Sequence, residues 1–250
     1  MTAALKGYHF EPHFHDAWSV GAIVAGSCTF SCRGSSYVAR QGDVVVIPPC
    51  VVHTGGTSEG LLSYGMAYIQ TSWFDAHASL LYDNPVQFAG VVISDPSLCA
   101  RWEAALTRTE LADTARKNDI SAALLELLAN YGAPMRDAMF AAPGADACAE
   151  LQASMSHRDQ PKADVDTLAR RWGVHRTTLS KQFAQRYGLP PDAWLRSWRA
   201  AKAKTLIVDG MSLADVAAAT GFADQAHLTR VFKRIHGAPP GVLRKRKIFL

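Results

Sequence analysis

The fold of this chain is decided by the stretch SLADVAAATGFADQAHLTRVFKRIHGAPPGVLR, residues 212–244. Ser212 and Asp215 form a capping box, which predicts that a helix begins there, and Gly221 supplies the left-handed backbone that ends it. Asp224 is the N-cap of a second helix. Two short helices joined by a tight turn that contains glycine are predicted to form a helix-turn-helix. The buried stripe of the second helix is Leu228, Val231 and Phe232.

Polar side chains occupy the outer face of the second helix. These residue types can reach base edges and phosphates in nucleic acid. For this stretch taken alone, an ordinary helical hairpin with a solvated polar face is the alternative. The residues concerned are Gln225, Thr229, Arg230 and Lys233.

An earlier segment of the chain repeats this pattern. Leu168, Ala169 and Gly173 recur 48 residues later as Val216, Ala217 and Gly221. A further set recurs 49 residues later, so one extra residue lies in the second turn, and a supersecondary unit repeated in this way predicts two helix-turn-helices in tandem. This set is Leu179, Phe183, Gly188, Pro190 and Pro191, repeated as Leu228, Phe232, Gly237, Pro239 and Pro240.

The run GFADQAHLTR at 221–230, with the residues FKR at 232–234, Gly237 and Pro239-Pro240, resembles the signature of AraC-type (AraC/XylS family) transcription regulators. The resemblance implies a regulator that reads successive major grooves of double-stranded DNA and works with RNA polymerase. Ala226 departs from the pattern, since a polar reader is common there. The base-reading residues that the resemblance implies are Thr177, Ser180, Lys181, Gln225, Thr229 and Arg230.

A linking helix is predicted over residues 192–207. Its 16 residues span ~24 Å, a length that can hold two recognition helices roughly one DNA turn (~34 Å) apart. Basic residues on this helix are predicted to contact phosphates, with a solvated charged face as the alternative: Arg196, Arg199, Lys202 and Lys204. Arg176, Lys233 and Arg234 are further phosphate candidates.

Charge is divided unequally along the chain. Residues 1–142 carry 8 Lys and Arg against 13 Asp and Glu, a net charge of −5, whereas residues 143–250 carry 18 against 9, a net charge of +9. The two values sum to the +4 of the whole chain. A basic half that contains helix-turn-helices is typical of a DNA-binding module, because the duplex is a polyanion.

Composition places the chain among globular proteins of the cytoplasm. The charged fraction is 19% and the hydrophobic fraction 48%, and no apolar run is long enough to span a membrane. The first six residues are followed by no signal-peptide core. The five cysteines form no C-x-x-C pair, which predicts free thiols in a reducing compartment.

The first ninety residues predict β-structure. Short β-prone runs at 18–24, 28–33, 37–39, 44–47 and 61–69 are separated by glycines, which is typical of a small barrel or sandwich. In the second run, Cys28, Phe30 and Cys32 alternate with polar residues, as in a half-buried strand.

Two histidine motifs lie in this β-region. His13 and His15 leave one face of an extended strand, and His53 ends the run GDVVVIPPCVVH at 42–53. Both motifs resemble those of the cupin barrel, whose metal-binding members use two His, a Glu and a later His. Ser19 stands where the Glu is expected, and Cys50 replaces the glycine usual in the second motif.

Three histidines can hold zinc or iron with water in the open position, so a divalent metal is one candidate occupant. The missing carboxylate disfavours a metal, and the family resemblance implies that the barrel senses a small organic effector, for which the histidines would form a polar lining. Plain structural histidines, and ordinary core aromatics, are the alternative. The effector-binding candidates are His13, His15, Trp18, Tyr37, His53 and Tyr64, and the metal candidates are His13, His15 and His53.

A short helix lying against the barrel is predicted between Thr71 and Tyr82 from the spacing of Trp73, Phe74, His77, Leu80 and Leu81, and a last β-run is predicted at 86–93. Two longer helices are predicted at 94–111 and 119–131, the first of them beginning at Asp95-Pro96. The resemblance implies that such helices pair two protomers into a homodimer, and packing against the barrel is the equal alternative. Residues 132–144 are rich in Gly, Pro and Ala, which places a domain boundary near residue 142. Asp164 is the predicted cap of the first helix-turn-helix.

The sequence therefore predicts an α+β chain: a cupin-like β-barrel with flanking helices over 1–142, and an all-α domain of two helix-turn-helices joined by a linking helix over 143–250. The predicted function is an effector-responsive transcription regulator and not an enzyme. The alternatives are a metal-dependent cupin enzyme with an attached DNA-binding domain, which lacks the motif's Glu, and a non-specific basic architectural protein.

Overall fold

A computed structural model describes residues 2–6, 9–57, 61–107, 113–135, 147–156, 165–237 and 239–245. The predicted boundary near residue 142 and the predicted cap at Asp164 lie outside the described residues. The chain has a β-rich N-terminal half and a helical C-terminal half, as the sequence predicts.

The N-terminal half contains eleven described strands and three described helices. The strands are β1 (Thr2–Lys6), β2 (His9–His13), β3 (Ala17–Ala25), β4 (Ser27–Cys32), β5 (Ser35–Arg40), β6 (Asp43–Ile47), β7 (His53–Gly56), β8 (Leu61–Gln70), β9 (Val86–Phe88), β10 (Val92–Ser94) and β11 (Gly132–Pro134). The helices are α1 (Thr71–Ala78), α2 (Pro96–Thr107) and α3 (Asp113–Tyr131).

Two antiparallel sheets form this β-domain. The larger has the strand order β1-β8-β3-β6-β10, the smaller has the order β2-β7-β4-β5, and β9 pairs separately with β11. The β4–β5 hairpin closes through Arg33 and Gly34, both with positive φ, the geometry of a two-residue type I′ turn.

The larger sheet is covered on both faces, so β3 and β6 are buried almost throughout. One face packs Trp18, Val20 and Ala22 against α1, α2 and α3. The opposite face packs Ile23 and the alternate residues of β6 and β8 against the smaller sheet. Because side chains alternate along a strand, each residue of β3 belongs to one core or the other.

The two long helices of this half pack on the sheet of their own chain. Five apolar residues of α3 have no exposed surface and belong to the same core as Trp102 of α2, whereas Leu125 is partly exposed. Of the two predicted roles for these helices, packing against the β-domain is the one that the structure shows. The buried residues of α3 are Ile120, Ala123, Leu124, Leu127 and Leu128.

Some local predictions were wrong. The β-run expected up to Ile93 is two short strands, β9 and β10, separated by residues 89–91. Leu80 and Leu81, expected on the buried face of a helix, lie beyond the end of α1 and are 69% and 45% exposed. Strands β1 and β7 were not predicted, since β7 contains two glycines and gains its regularity by pairing with β2 and β4.

The C-terminal half contains α4 (Ala147–Ser156), α5 (Val165–Arg171), α6 (Arg176–Tyr187), α7 (Pro191–Val208), α8 (Leu213–Thr220), α9 (Gln225–His236) and α10 (Pro240–Lys245). Helices α5–α6 and α8–α9 are the two helix-turn-helices, each with its own apolar core, and α7 links them. The linking helix has 18 residues, close to the prediction.

The predicted caps of the second repeat are confirmed. Ser212 Oγ accepts a hydrogen bond from the Asp215 backbone N–H at 3.1 Å, and Asp224 Oδ1 accepts one from the His227 N–H at 2.6 Å. Gly221 ends α8 in the left-handed conformation, and Gly237 ends α9 in the same way. These bonds satisfy helix-end groups that would otherwise have no partner within the helix.

Candidate functional site

The six predicted base-reading residues lie on α6 and α9. Thr177, Lys181, Gln225 and Arg230 are exposed, and Ser180 and Thr229 are partly buried. The apolar stripe of each helix faces its own core. Both helices therefore present polar side chains to solvent along most of their length, as a major-groove reader requires.

The predicted phosphate contacts divide into several environments. Lys202 and Lys233 are exposed, and Arg199 is partly buried beside Gly221. Arg176 pairs with Asp166 of α5 at 3.3 Å, and Arg234 pairs with Glu11 of β2 at 3.4 Å.

The prediction for Lys204 was wrong. Its side chain is buried, and its Nζ lies 2.9 Å from the centre of the Tyr68 ring in the β-domain. A side chain enclosed in this way cannot reach a phosphate. The face of α7 that carries Lys204 is the face that packs against the N-terminal half.

A cavity of about 100 Å³ lies between the two sheets of the β-domain. His13, His15, His53 and Tyr64 line it, as predicted. Ser19 also lines it, from the position where the cupin pattern has a carboxylate. Its remaining walls are largely apolar, among them Phe10, Ile23, Phe30, Ile47, Met66 and Ile235.

Trp18 and Tyr37 do not line the cavity. Trp18 lies on the opposite face of β3, where its ring stacks on Phe74 of α1 at 4.1 Å between centroids. Tyr37 stacks on Phe30, which separates it from the cavity. These two aromatic residues are ordinary packing groups in the described structure.

The three histidines of the β-domain form one cluster. The ring centroids of His13 and His53 are 4.5 Å apart, and those of His13 and His15 are 4.9 Å apart. The Nδ1 atoms of His13 and His53 contact the carbonyl oxygens of Glu11 and Val51 at 2.6 and 2.9 Å. A carbonyl only accepts, so in both rings Nδ1 carries the proton and donates it.

Burial governs the ionisation of this cluster. Loss of solvent, with the neighbouring His53, lowers the pKa of His13 to about 3, and burial with the nearby Lys204 holds the pKa of His15 well below its usual range. Burial also lowers the pKa of His53. The cluster is therefore made of neutral imidazoles at neutral pH.

The C-terminal half closes the cavity, which the sequence did not predict. Ile235 of α9 lines it, and the ring of His236 stacks on that of His15 at 5.2 Å and 21°. Phe14 of the β-domain packs into the core of the first repeat, 5.4 Å from Trp194. His236 follows Phe232 by four residues and therefore lies on the same buried stripe of the helix. A polar residue on this apolar stripe was the feature of the sequence that could have indicated the contact.

Cys50 adopts a left-handed backbone with φ of 60°, and its N–H donates to the carbonyl oxygen of His15 at 2.7 Å. We expect Cys50→Gly to raise the free energy of unfolding by about 0.5–1 kcal/mol, because relief of about 1–2 kcal/mol of strain exceeds the entropic cost of glycine. Thermal unfolding measures this. The matched variant Cys28→Gly, in extended strand β4, should be destabilised instead, and equal losses in both would exclude strain at Cys50.

A cavity-bearing β-domain that packs against two capped helix-turn-helices defines a DNA-binding transcription regulator with a ligand-binding domain. Residues 2–128 match the family described as "AraC-like ligand binding domain", and residues 168–246 match "Helix-turn-helix domain". The chain belongs to the AraC family of transcription regulators. This family is not enzymatic, so the alternative of a cupin enzyme is set aside.

Individual relatives agree with this assignment. The chain is 24% identical to the HTH-type transcriptional regulator YbfI of Bacillus subtilis over 227 residues, covering 88% of this chain and 81% of YbfI. It is also 24% identical to the arabinose operon regulatory protein of Salmonella typhimurium over 247 residues, with the same coverage. Fatty acid-bound wild-type ToxT of Vibrio cholerae shares the fold, with a TM-score of 0.54 and 16% identity over 96% of this chain and 91% of ToxT.

Within the described residues, none of the helices combines the length and the apolar character that crossing a membrane requires. The five cysteines are free thiols, as predicted.

Proposed function

We propose that the chain reads specific DNA sequences with α6 and α9 and that a small effector in the β-domain cavity controls this binding. The observation that carries the proposal is the position of Ile235. It belongs to α9, the second candidate reading helix, and it also lines the cavity. A molecule in the cavity therefore touches the element that would enter the groove.

The cavity suits a small, mostly apolar molecule with one polar end. Ser19 Oγ is buried without a hydrogen-bond partner, and Ser19 lines the cavity. An unsatisfied buried group costs about 1–3 kcal/mol, so an effector that bonds to this hydroxyl gains affinity. An effector that prefers one arrangement of α9 shifts the population that is competent for DNA.

Arg230→Ala tests the DNA-reading part of the proposal. Arg230 is exposed on α9, and we expect its loss to weaken binding to a preferred duplex by about 1–3 kcal/mol and to relax selection at one base position. The preferred duplex is first selected from a randomised library, and affinities are then compared with single-base variants at fixed salt.

Arg40→Ala is the matched control, since it removes the same charge from an exposed residue of the β-domain. We expect it to leave both affinity and base preference unchanged. An equal loss for Arg230→Ala on every duplex would make Arg230 a phosphate contact. Selection that enriches no sequence at all would contradict the proposal and favour a non-specific basic protein.

We further propose that the regulator acts through RNA polymerase and forms a homodimer on DNA, as the family resemblance implies. Because five apolar residues of α3 pack inside their own chain, such a dimer uses residues other than these. Sedimentation of the protein with and without its duplex measures this assembly.

A further inference from the structure

Four histidines meet where the β-domain contacts α9. One nitrogen from each of His13, His15 and His53 lies within 4.8 Å of the other two. The fourth, His236, stacks on His15 from the opposite side of the domain junction. His13 and His15 are 4% exposed, His236 is 5% exposed and His53 is partly buried, so most of the cluster is enclosed by protein.

Hydrogen bonds to backbone carbonyls orient two rings of the cluster for metal ligation. Because the Nδ1–H groups of His13 and His53 donate to the carbonyls of Glu11 and Val51, the lone pairs of these two rings are on Nε2. A ring oriented by a backbone carbonyl in this way is the usual arrangement of a metal-ligating histidine.

Other nitrogens of the cluster have no such bond. His15 Nδ1 makes no hydrogen bond, and the His236 ring has no hydrogen bond of good geometry, although the backbone of Ala200 interacts favourably with it. Three enclosed polar nitrogens are costly to the fold when they are unsatisfied. A cation among them would satisfy lone pairs that the protein itself leaves unused.

The charges around the cluster permit a cation. Burial holds the pKa of His236 well below its usual range, as it does for His15, so the imidazoles are in the neutral, ligating form. The basic group beside the cluster is Lys204, and burial lowers its pKa as well.

We propose that His13, His15, His53 and His236 bind one transition-metal ion of the Zn²⁺ class, which ties α9 to the β-domain. Imidazole suits this class, and four nitrogens complete the tetrahedral set that Zn²⁺ prefers. Zn–N bonds of ~2.0–2.1 Å would require the three β-domain nitrogens to move closer together and the His236 ring to rotate out of its stack on His15. The missing carboxylate of the cupin pattern is thus replaced by a ligand from the other half of the chain.

The consequence concerns regulation and rests on the proposed DNA-reading role of α9. The ion joins the C-terminal end of α9 to β2 and β7, and so restricts how α9 is placed relative to α6. If the metal ion binds the free and the DNA-bound arrangements with different affinities, the metal-bound and the metal-free protein must differ in DNA affinity by the same factor.

Metal binding is measured on the full-length chain after chelation, by equilibrium dialysis with Zn²⁺ and by absorption with Co²⁺ as the spectroscopic substitute. We expect one ion per chain and the intense visible absorption of tetrahedral Co²⁺. His236→Ala should weaken binding by at least the roughly 10- to 100-fold that follows loss of an outer-sphere partner, and should reduce the Co²⁺ absorption. His9→Ala, an exposed histidine on the same strand as His13, should change neither.

Each outcome decides one part of the proposal. No stoichiometric Zn²⁺ on the wild-type chain overturns the metal site and leaves the Arg230→Ala test of DNA reading intact. Wild-type binding that His236→Ala does not change, but His13→Ala abolishes, confines the ion to the β-domain and overturns the tie to α9. Affinity for the selected duplex should differ at least tenfold with and without Zn²⁺, and only while His236 is present. Equal affinities overturn the regulatory consequence.

Discussion

Phe232→Ala should lower the free energy of unfolding of the helical half by about 3–5 kcal/mol, the cost of removing a large ring from a packed core. Phe232 has no exposed surface and packs with Val216, Leu228 and Ile207 in the core of the second repeat. Its ring also lies 4.2 Å from that of His236, so the substitution opens space beside the histidine cluster. Urea unfolding followed by helical circular dichroism measures the change.

Met211→Ala is the control for this prediction. Met211 lies in the same half of the chain but is 36% exposed, and its truncation should change stability by less than about 0.5 kcal/mol. Phe183 occupies the equivalent position in the first repeat and is equally buried, so Phe183→Ala should be as costly as Phe232→Ala. A small loss for either phenylalanine would show that its repeat has no independent packed core.

Gly237→Ala should destabilise the chain by about 2–5 kcal/mol and loosen the contact between its halves. Gly237 has φ of 74°, which costs an alanine about 1–2 kcal/mol. The added Cβ would also lie 2.8 Å from Cε1 of Phe10, and overpacking of this kind costs about 1–3 kcal/mol. Phe10 lines the cavity, so any shift of its ring also changes the shape of the effector site.

Gly173→Ala separates these two causes. Gly173 has φ of 65°, but no atom lies within 4 Å of its added Cβ, so this variant carries the backbone strain alone. The rate of backbone amide hydrogen exchange in β2 should rise in Gly237→Ala and stay unchanged in Gly173→Ala. If both variants lose the same stability and show the same exchange rate in β2, Gly237 does not contribute to the packing of α9 on the β-domain.

The local parts of the structure were predictable because they depend on neighbours three or four residues away. Ser212 and Asp224 cap their helices through bonds to the backbone three residues on. Helix α6 lies where the repeat places it, because the first repeat carries the same turn and apolar stripe as the second. These interactions form within one helical turn and need no contribution from the rest of the fold.

The period of two along β3 predicted that its side chains alternate between the two faces of the sheet, but not which face each side chain occupies. Because side chains alternate along a strand, Trp18 and Ser19 must face opposite sides of β3. Only α1, α2 and α3, by covering one face of the larger sheet, decide that Trp18 packs under helices while Ser19 faces the cavity. An isolated sequence pattern cannot distinguish two faces that are both apolar.

The junction between the two halves was decided by tertiary structure alone. Ile235 and His236 lie more than 180 residues beyond the histidines of the β-domain, and Lys204 looked like an exposed phosphate contact. Their positions follow from the docking of α7 and α9 on β2, which buries Lys204 on Tyr68 and places His236 on His15. The sequence alone specified helices that can read DNA and a strand that carries histidines. The packing of one on the other follows from surface complementarity, which has no short-range periodicity in the chain.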